Sequence, residues 1–305
     1  MKKLILHIGC EKTGSTSIQN FLNVNRGGLE RDNKILLPTS LGKDNHIQLA
    51  VYACDEDKGL SRFLKRGQDL NSARLPIEEK FRNEVLKSNC DTVLISNEWL
   101  HSRIRSREEF SRLKCLFENL FDDVTVIMYV RRQDKMAISL YSTSLKSGNH
   151  LPFQFPVVNP NGRLPYYYDF FEIYKNWAGE FGPGNVRIRF FERCSLKEGD
   201  VVKDFICSLG INNKNFKFLK EKNTSLSNLG VSIMRVVNRL ISLGGRFVHP
   251  RLAKTIRGIV SYIFSGTPAL TSSQECAAFN KKFSTSNTKL KLLYEKDCSE
   301  IINIR

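Results

Sequence analysis

Short apolar runs, separated by stretches of helical spacing, organise the first two-thirds of the chain. The runs are Leu4-Ile5-Leu6-His7-Ile8, Lys34 to Leu37, Asp91 to Ser96, Val124 to Val130 and Asn185 to Phe191. Val124 to Val130 is almost wholly apolar and rich in β-branched residues, which suits a strand buried on both faces of a parallel sheet. Between the runs, apolar spacing predicts helices after Gly14 through Leu22, over Pro76 to Lys87 and over Arg107 to Phe121. Further helices are predicted around Met136, Ile138, Leu140 and Leu145, over the aromatic-rich Tyr168 to Phe181, and over Val201 to Leu209. Asn45-His46 falls in a loop, and residues 149–165, rich in Pro, Asn and Gly, form a long one of the kind that tends to be functional. This alternation predicts an α/β fold with a doubly wound, mostly parallel sheet. Beyond it, Val231 to Leu243 and Leu252 to Phe264 have the spacing of two helices. The chain is expected to divide into a core, residues 1–221, and a helical C-terminal subregion, 222–305, of the same domain. No internal repeat is present.

The first strand empties into Gly9-Cys-Glu-Lys12-Thr13-Gly14-Ser15-Thr16-Ser17, a glycine-bearing turn with a lysine and several hydroxyls at a helix start. Backbone N–H groups at such a helix N-terminus hold an anion, Gly14 lets the backbone come close to it, and Lys12 adds charge. Gly9 and Gly14 are spaced like the glycines of a P-loop, which needs a lysine directly after the second glycine; here Ser15 stands in that place and Lys12 precedes Gly14 by two residues. The second candidate lies at the end of Val124 to Val130, where Arg131 and Arg132 begin the next connection and Ser139 follows on its helix. Ligands of open α/β sheets bind beyond the carboxyl ends of strands, so Arg131 and Ser139 can jointly hold a terminal phosphate.

The stretch from His7 to Gln19, of form H-I-G-x-x-K-T-G-[ST]-T-S-x-Q, resembles the 5′-phosphosulfate loop of sulfotransferases that use 3′-phosphoadenosine 5′-phosphosulfate (PAPS), including bacterial enzymes of capsule and surface-glycan synthesis. Arg131, Ser139 eight residues on, and Tyr141 are similar to the element with which that superfamily grips the 3′-phosphate of the nucleotide. The resemblance covers about residues 3 to 211, at motif strength in these two places and as a pattern elsewhere. It implies that Lys12 stabilises the bridging oxygen of the departing nucleotide and that Thr13, Gly14, Ser15, Thr16 and Ser17 hold the 5′-phosphate. It also implies PAPS as co-substrate, adenosine 3′,5′-bisphosphate as by-product, no required metal, and a carbohydrate or glycolipid acceptor.

Charge and cysteine usage sharpen the expectation. The chain of 305 residues carries a formal net charge of +16, which favours anionic partners without naming them. Zinc-finger spacing, an RNP-like aromatic stretch and dense basic tracts are all missing, so nucleic acid is not the expected partner. Eight cysteines occur singly with no CxxC, which argues against a zinc site or disulfide framework and for reduced thiols in the cytoplasm. The opening apolar stretch is too short for the core of a secretory signal, and no run reaches the roughly 18 apolar residues of a membrane span, so a soluble chain is expected, with peripheral contact at the inner membrane face allowed. From Lys222 to Gln274 there is no Asp or Glu and there are seven Lys or Arg. Two readings of that segment stay open: a helical cap with a solvated basic face, and a surface for an anionic acceptor or membrane.

Sulfuryl transfer still needs a general base for the acceptor. Glu98, just past the Asp91 to Ser96 strand, occupies in chain order the slot of a catalytic histidine in cytosolic sulfotransferases; pairing with Arg103 or Arg105 is its structural alternative. His46 is the second candidate, and Trp99 is expected to pack. Two other functions fit parts of the pattern: a nucleotide or small-molecule kinase with a variant P-loop, and a non-catalytic basic protein that binds anionic glycan or nucleic acid.

Overall fold

The computed structural model describes residues 2–157, 165–211, 215–219, 225–244 and 248–302. Five strands, β1 (Lys2–His7), β2 (Ile35–Leu36), β3 (Thr92–Ser96), β4 (Phe121–Val130) and β5 (Val186–Phe190), pair in parallel in the order β2-β3-β1-β4-β5. Chain growth runs one way from β1 and the other way from β4, so the crevice beyond the neighbouring ends of β1 and β4 is the topological switch point where such sheets bind ligands. His7 is level with Ser96 of β3 and with Ile127 of β4, and β4 continues three residues further before Arg131.

Both faces of the sheet are covered. On one, Ile18, Phe21 and Leu22 of α1 (Ser15–Val24), Leu29 of α2 (Arg26–Asn33) and Phe205 and Ile206 of α9 (Val201–Ser208) pack on Leu94, Ile127 and Tyr129. The alternate residues Val93, Ile95, Val126 and Met128 are buried too, as strands covered on both faces require. Phe110 of α6 (Arg107–Glu118) meets Trp177 of α8 (Phe170–Phe181) edge-on at 5.0 Å, and Phe117 packs against Phe121 of β4. Asp204 ties three elements together: it accepts from Tyr129 Oη at 2.6 Å and from Arg189 Nε and Nη2 at 2.6 and 2.7 Å, so α9, β4 and β5 share one buried ion pair. Removing Arg189 costs about 3–5 kcal/mol, because the Asp204 charge stays buried.

Chain contacts group the molecule into two compact units, the first comprising Met1–Arg131, Tyr166–Leu219 and Thr285–Arg305, the second Arg132–Pro165 and Lys220–Ser284. The second contains α7 (Gln133–Lys146), α10 (Asn228–Leu243), α11 (Pro250–Ile263) and α12 (Ser273–Lys281) around Tyr141, Leu145, Leu226, Val231, Met234 and Val260. α10 and α11 form an antiparallel hairpin: Ser227 N donates to Phe264 O at 2.8 Å, and a side chain at Gly230 would meet that carbonyl at 2.6 Å, so glycine permits the close approach. Among the described residues, Cys10, Cys54, Cys90, Cys115, Cys194, Cys207 and Cys276 are free thiols, and no helix is long and apolar enough to cross a membrane.

Boundaries moved where local chemistry outweighed apolar spacing. The helix expected from Pro76 is α4 (Leu70–Lys87), started six residues earlier by a capping box in which Asp69 accepts from Ser72 N at 2.7 Å. Phe121, expected at a helix end, opens β4 instead, after Asn119 has ended α6. α3 (Ile47–Ala53) was not predicted, because all but Gln48 of its residues are buried and it shows no polar face to reveal its period.

Candidate active site

Three residues in the loop after β1 take left-handed backbone conformations: Gly9 at φ 44°, Lys12 at φ 70° and Gly14 at φ 80°. At Gly14 a side chain would meet Val201 Cγ1 at 2.8 Å, so both the turn and the packing of α9 require glycine there. Lys12 has no such freedom, and holding it left-handed costs on the order of 1–3 kcal/mol. The surroundings impose it. Ile8 N and Cys10 N donate to Ile127 O and Tyr129 O of β4 at 3.1 and 2.9 Å, Thr13 Oγ1 donates to Cys10 O at 2.6 Å, and Arg131 Nη1 donates to Lys12 O at 2.9 Å. Thr13 is buried, and both its hydroxyl and its N–H, the latter at 3.3 Å, donate to Cys10 O, so this residue holds the loop in shape. α1 starts directly after Gly14 with no side-chain cap hydrogen bond and no acidic residue in its first turn, which leaves the positive end of the helix dipole for an outside anion. Ser15 is buried, Ser17 half-buried and Thr16 exposed along that turn.

Lys12, Arg131 and Glu98 share one electrostatic environment. Burial lowers the Lys12 pKa most, the charge of Arg131 lowers it further, and Glu11 and Glu98 oppose the shift. Arg131 also lies with its guanidinium 5.4 Å from the centre of the Phe191 ring. Glu98 precedes α5 (Trp99–Arg103), and its Oε2 accepts from Gln19 Nε2 of α1 at 2.6 Å. That amide also reaches Ser96 Oγ at 3.4 Å, which pairs with His7 Nδ1 at 2.8 Å. A chain of polar groups thus runs from the ends of β1 and β3 through α1 to the Glu98 carboxylate.

His46 stands at the N-cap position of α3 without a side-chain cap hydrogen bond, is buried, and accepts from Ser96 N on Nδ1 at 2.9 Å. Burial pushes its pKa down to about 4, that of His101 to about 4 and that of His7 to about 3. All three lie below the 6.5 of an exposed histidine, so the unfolded chain binds more protons than the folded one in the window between about 6.5 and about 4. Stability is therefore expected to be intact above pH 6.5 and lost as pH falls through that window, with a slope approaching ~4 kcal/mol per pH unit if all three take up protons on unfolding. Denaturant titrations at several pH values check this; stability flat from pH 7 to 4 contradicts it.

Lys12, Arg131, Glu98 and the 9–17 loop are brought together in the first unit, and His46 reaches the same polar chain through Ser96. Ser139 lies half-buried on α7 in the second unit, where its carbonyl accepts from Thr143 Oγ1 at 3.1 Å. Glu98 is held by Gln19, while Arg103 pairs with Glu11 at 2.8 Å and Ser102 Oγ donates to the same oxygen at 2.9 Å. Trp99 packs, as expected, against Phe63 at 5.3 Å and two cations, with Arg62 4.6 Å and Arg103 4.3 Å from its ring centre. Gln19 and Glu11 were not singled out as site residues, although both lie inside the His7 to Gln19 stretch. A cavity of about 260 Å³ lined by Thr39, Gln48, Phe63, Lys65, Ile77 and Lys80 among others contains none of the loop residues. Among the described residues no cluster of His, Cys, Asp or Glu is arranged to hold a metal ion.

Fold and loop together define an α/β protein whose β1–α1 loop, left-handed at Gly9, Lys12 and Gly14, lies at the switch point of its parallel sheet. No family model matches the chain. A protein of Archaeoglobus fulgidus, described only as uncharacterized, is 31% identical over 120 residues, or 39% of this chain; the match spans about a third, 31%, of that relative's length. A solved structure, a sulfotransferase from Alicyclobacillus acidocaldarius, is similar with a TM-score of 0.46 and 15% identity, over 84% of this chain and 96% of that one.

Proposed function

We propose that this chain transfers a sulfuryl group from PAPS to a hydroxyl, or an amine, of a carbohydrate or glycolipid acceptor. The observation that carries the reading is the placement of Lys12, two residues before Gly14 in a left-handed turn, electrostatically coupled to both Arg131 and Glu98. A P-loop kinase needs its lysine on the other side of that glycine. In the proposed reaction Glu98 removes the acceptor proton as the acceptor oxygen bonds to sulfur, and the bond from sulfur to the bridging oxygen of the nucleotide breaks. Lys12 takes up the charge that develops on that oxygen, and adenosine 3′,5′-bisphosphate leaves. Positioning and preorganised charge supply the catalysis, as in phosphoryl transfer. The 5′-phosphate rests on the backbone of Gly14 and on Ser15, Thr16 and Ser17, beside Thr13, which shapes the loop; Arg131 takes the 3′-phosphate. Glu98 is the proposed base, and the hydrogen bond that His46 Nδ1 accepts from Ser96 N supports a role for that ring in positioning the end of β3. Incubation with sulfur-labelled PAPS and a panel of glycans and glycolipids tests the reaction: label in an acceptor supports it, and transfer from magnesium–ATP in its place overturns it.

The nucleotide assignment has its own test. Arg131→Ala is expected to weaken adenosine 3′,5′-bisphosphate by about 2 kcal/mol more than it weakens adenosine 5′-phosphate, since a charge-assisted hydrogen bond to the 3′-phosphate is lost only for the first. Some loss for both follows from the bond Arg131 gives to Lys12 O. Calorimetry on the two nucleotides decides, and equal losses mean that Arg131 acts through the loop alone.

A further inference from the structure

α10 is apolar on two opposite sides. Val231 and Met234 face the core of the second unit, whereas Leu229, Val236, Leu240 and Leu243 recur at the spacing of a single stripe on the other side and are exposed. On α11, Leu252, Ile259 and Ile263 form a second exposed stripe, flanked by Tyr262. These eight side chains are between 53% and 87% exposed, against the small, scattered apolar exposure of ordinary surfaces. Because the helices are antiparallel and joined at Ser227 and Phe264, both stripes run along the same hairpin, roughly 20 Å long at 1.5 Å per residue.

Charge identifies what fits this surface. Arg239 and Arg251 are exposed about a quarter-turn from the apolar stripes of α10 and α11, and the segment from Lys222 to Gln274 contains no Asp or Glu. Arg246, also in that segment, lies outside the described residues. A second copy of the chain docking through this face would set the same cations against one another, since a twofold interface meets itself. An extended polyanion such as nucleic acid would satisfy the cations and leave the leucines and isoleucines in water. An anionic bilayer satisfies both, with the apolar stripes sunk at the boundary of headgroups and acyl chains and the cations among lipid phosphates. Tyr262 has an apolar ring and a polar tip suited to that depth.

We infer that the α10–α11 hairpin is a docking surface for an anionic lipid membrane, on which the protein lies without spanning it. This inference does not rest on the sulfuryl-transfer reading. Co-sedimentation of the full chain with vesicles tests it, comparing pure phosphatidylcholine with a mixture containing phosphatidylglycerol. Binding roughly tenfold or more tighter to the anionic vesicles is expected, weakened by added salt. Replacing Leu240, Leu243, Ile259 and Ile263 together by serine should abolish binding, with circular dichroism unchanged because these side chains are exposed. Arg239→Glu with Arg251→Glu should weaken anionic-vesicle binding by roughly tenfold. Absent binding, or equal binding to the two vesicle types, overturns the inference. So does a wild-type dimer in light scattering that the serine variant dissolves, which would place a second copy on this face.

Discussion

Lys12→Ala is expected to lower sulfuryl transfer by roughly 10²-fold or more while nucleotide affinity falls far less. The size follows from losing one preorganised charge at the point where negative charge develops, which is worth about 3–4 kcal/mol of barrier in comparable sites. Lys12 is half-buried in the field of Arg131, and its charge is supported by Glu11 and Glu98, so solvent only partly substitutes for it. A control separates chemistry from backbone strain. Lys12 sits at φ 70°, which glycine adopts freely, so Lys12→Gly should be as inactive as Lys12→Ala but more stable by about 1 kcal/mol. Steady-state kinetics and denaturant unfolding of the two variants give both quantities. Normal turnover in either one would show that the loop does not do the chemistry.

Glu98→Gln is expected to keep nucleotide affinity and fold and to reduce turnover by about 10²–10⁴-fold, the usual worth of a positioned general base. The change preserves shape, and the new carbonyl still accepts from Gln19 Nε2, whose hydrogen bond now holds the carboxylate at 2.6 Å. Gln19→Ala, by contrast, frees the carboxylate to reorient, and its smaller loss should fall on kcat rather than on nucleotide binding. His46→Ala should cost stability through Ser96 and leave the chemistry mostly intact. An active Glu98→Gln enzyme beside an inactive, folded and nucleotide-binding His46→Ala enzyme reverses the roles of the two residues.

Much of this arrangement was legible because parallel α/β sheets have a fixed grammar. Val124 to Val130 is apolar on both sides because β4 is buried on both, and Lys12 stands out because a helix start has no packing reason to hold it. The connections made across strands were not legible. Glu98 meets Gln19, 79 residues away, and Glu11 meets Arg103, 92 away, because β1 and β3 end level with each other, a register no local pattern reveals. Local chemistry that competes with apolar spacing was also missed, as at Asp69, where a capping box moves a helix start ahead of the proline that seemed to mark it. α12 and α13 (Ser284–Ile302) went unpredicted because their apolar faces are sparse; α12 is set by Ser272 and Glu275, another capping box. The acid-free segment showed its charge in the sequence, but only the structure separates the buried side of α10 from the exposed stripe opposite it.

The central claim is that the loop from Gly9 to Ser17 cradles the nucleotide of sulfuryl transfer. Isothermal titration of the wild-type chain with adenosine 3′,5′-bisphosphate, alongside adenosine 5′-phosphate and magnesium–ATP, tests it most directly. The bisphosphate is expected to bind tightest, by at least the roughly 2 kcal/mol of a charge-assisted contact to its 3′-phosphate, with no need for magnesium. Preferential binding of magnesium–ATP, or no discrimination among the three, would contradict it.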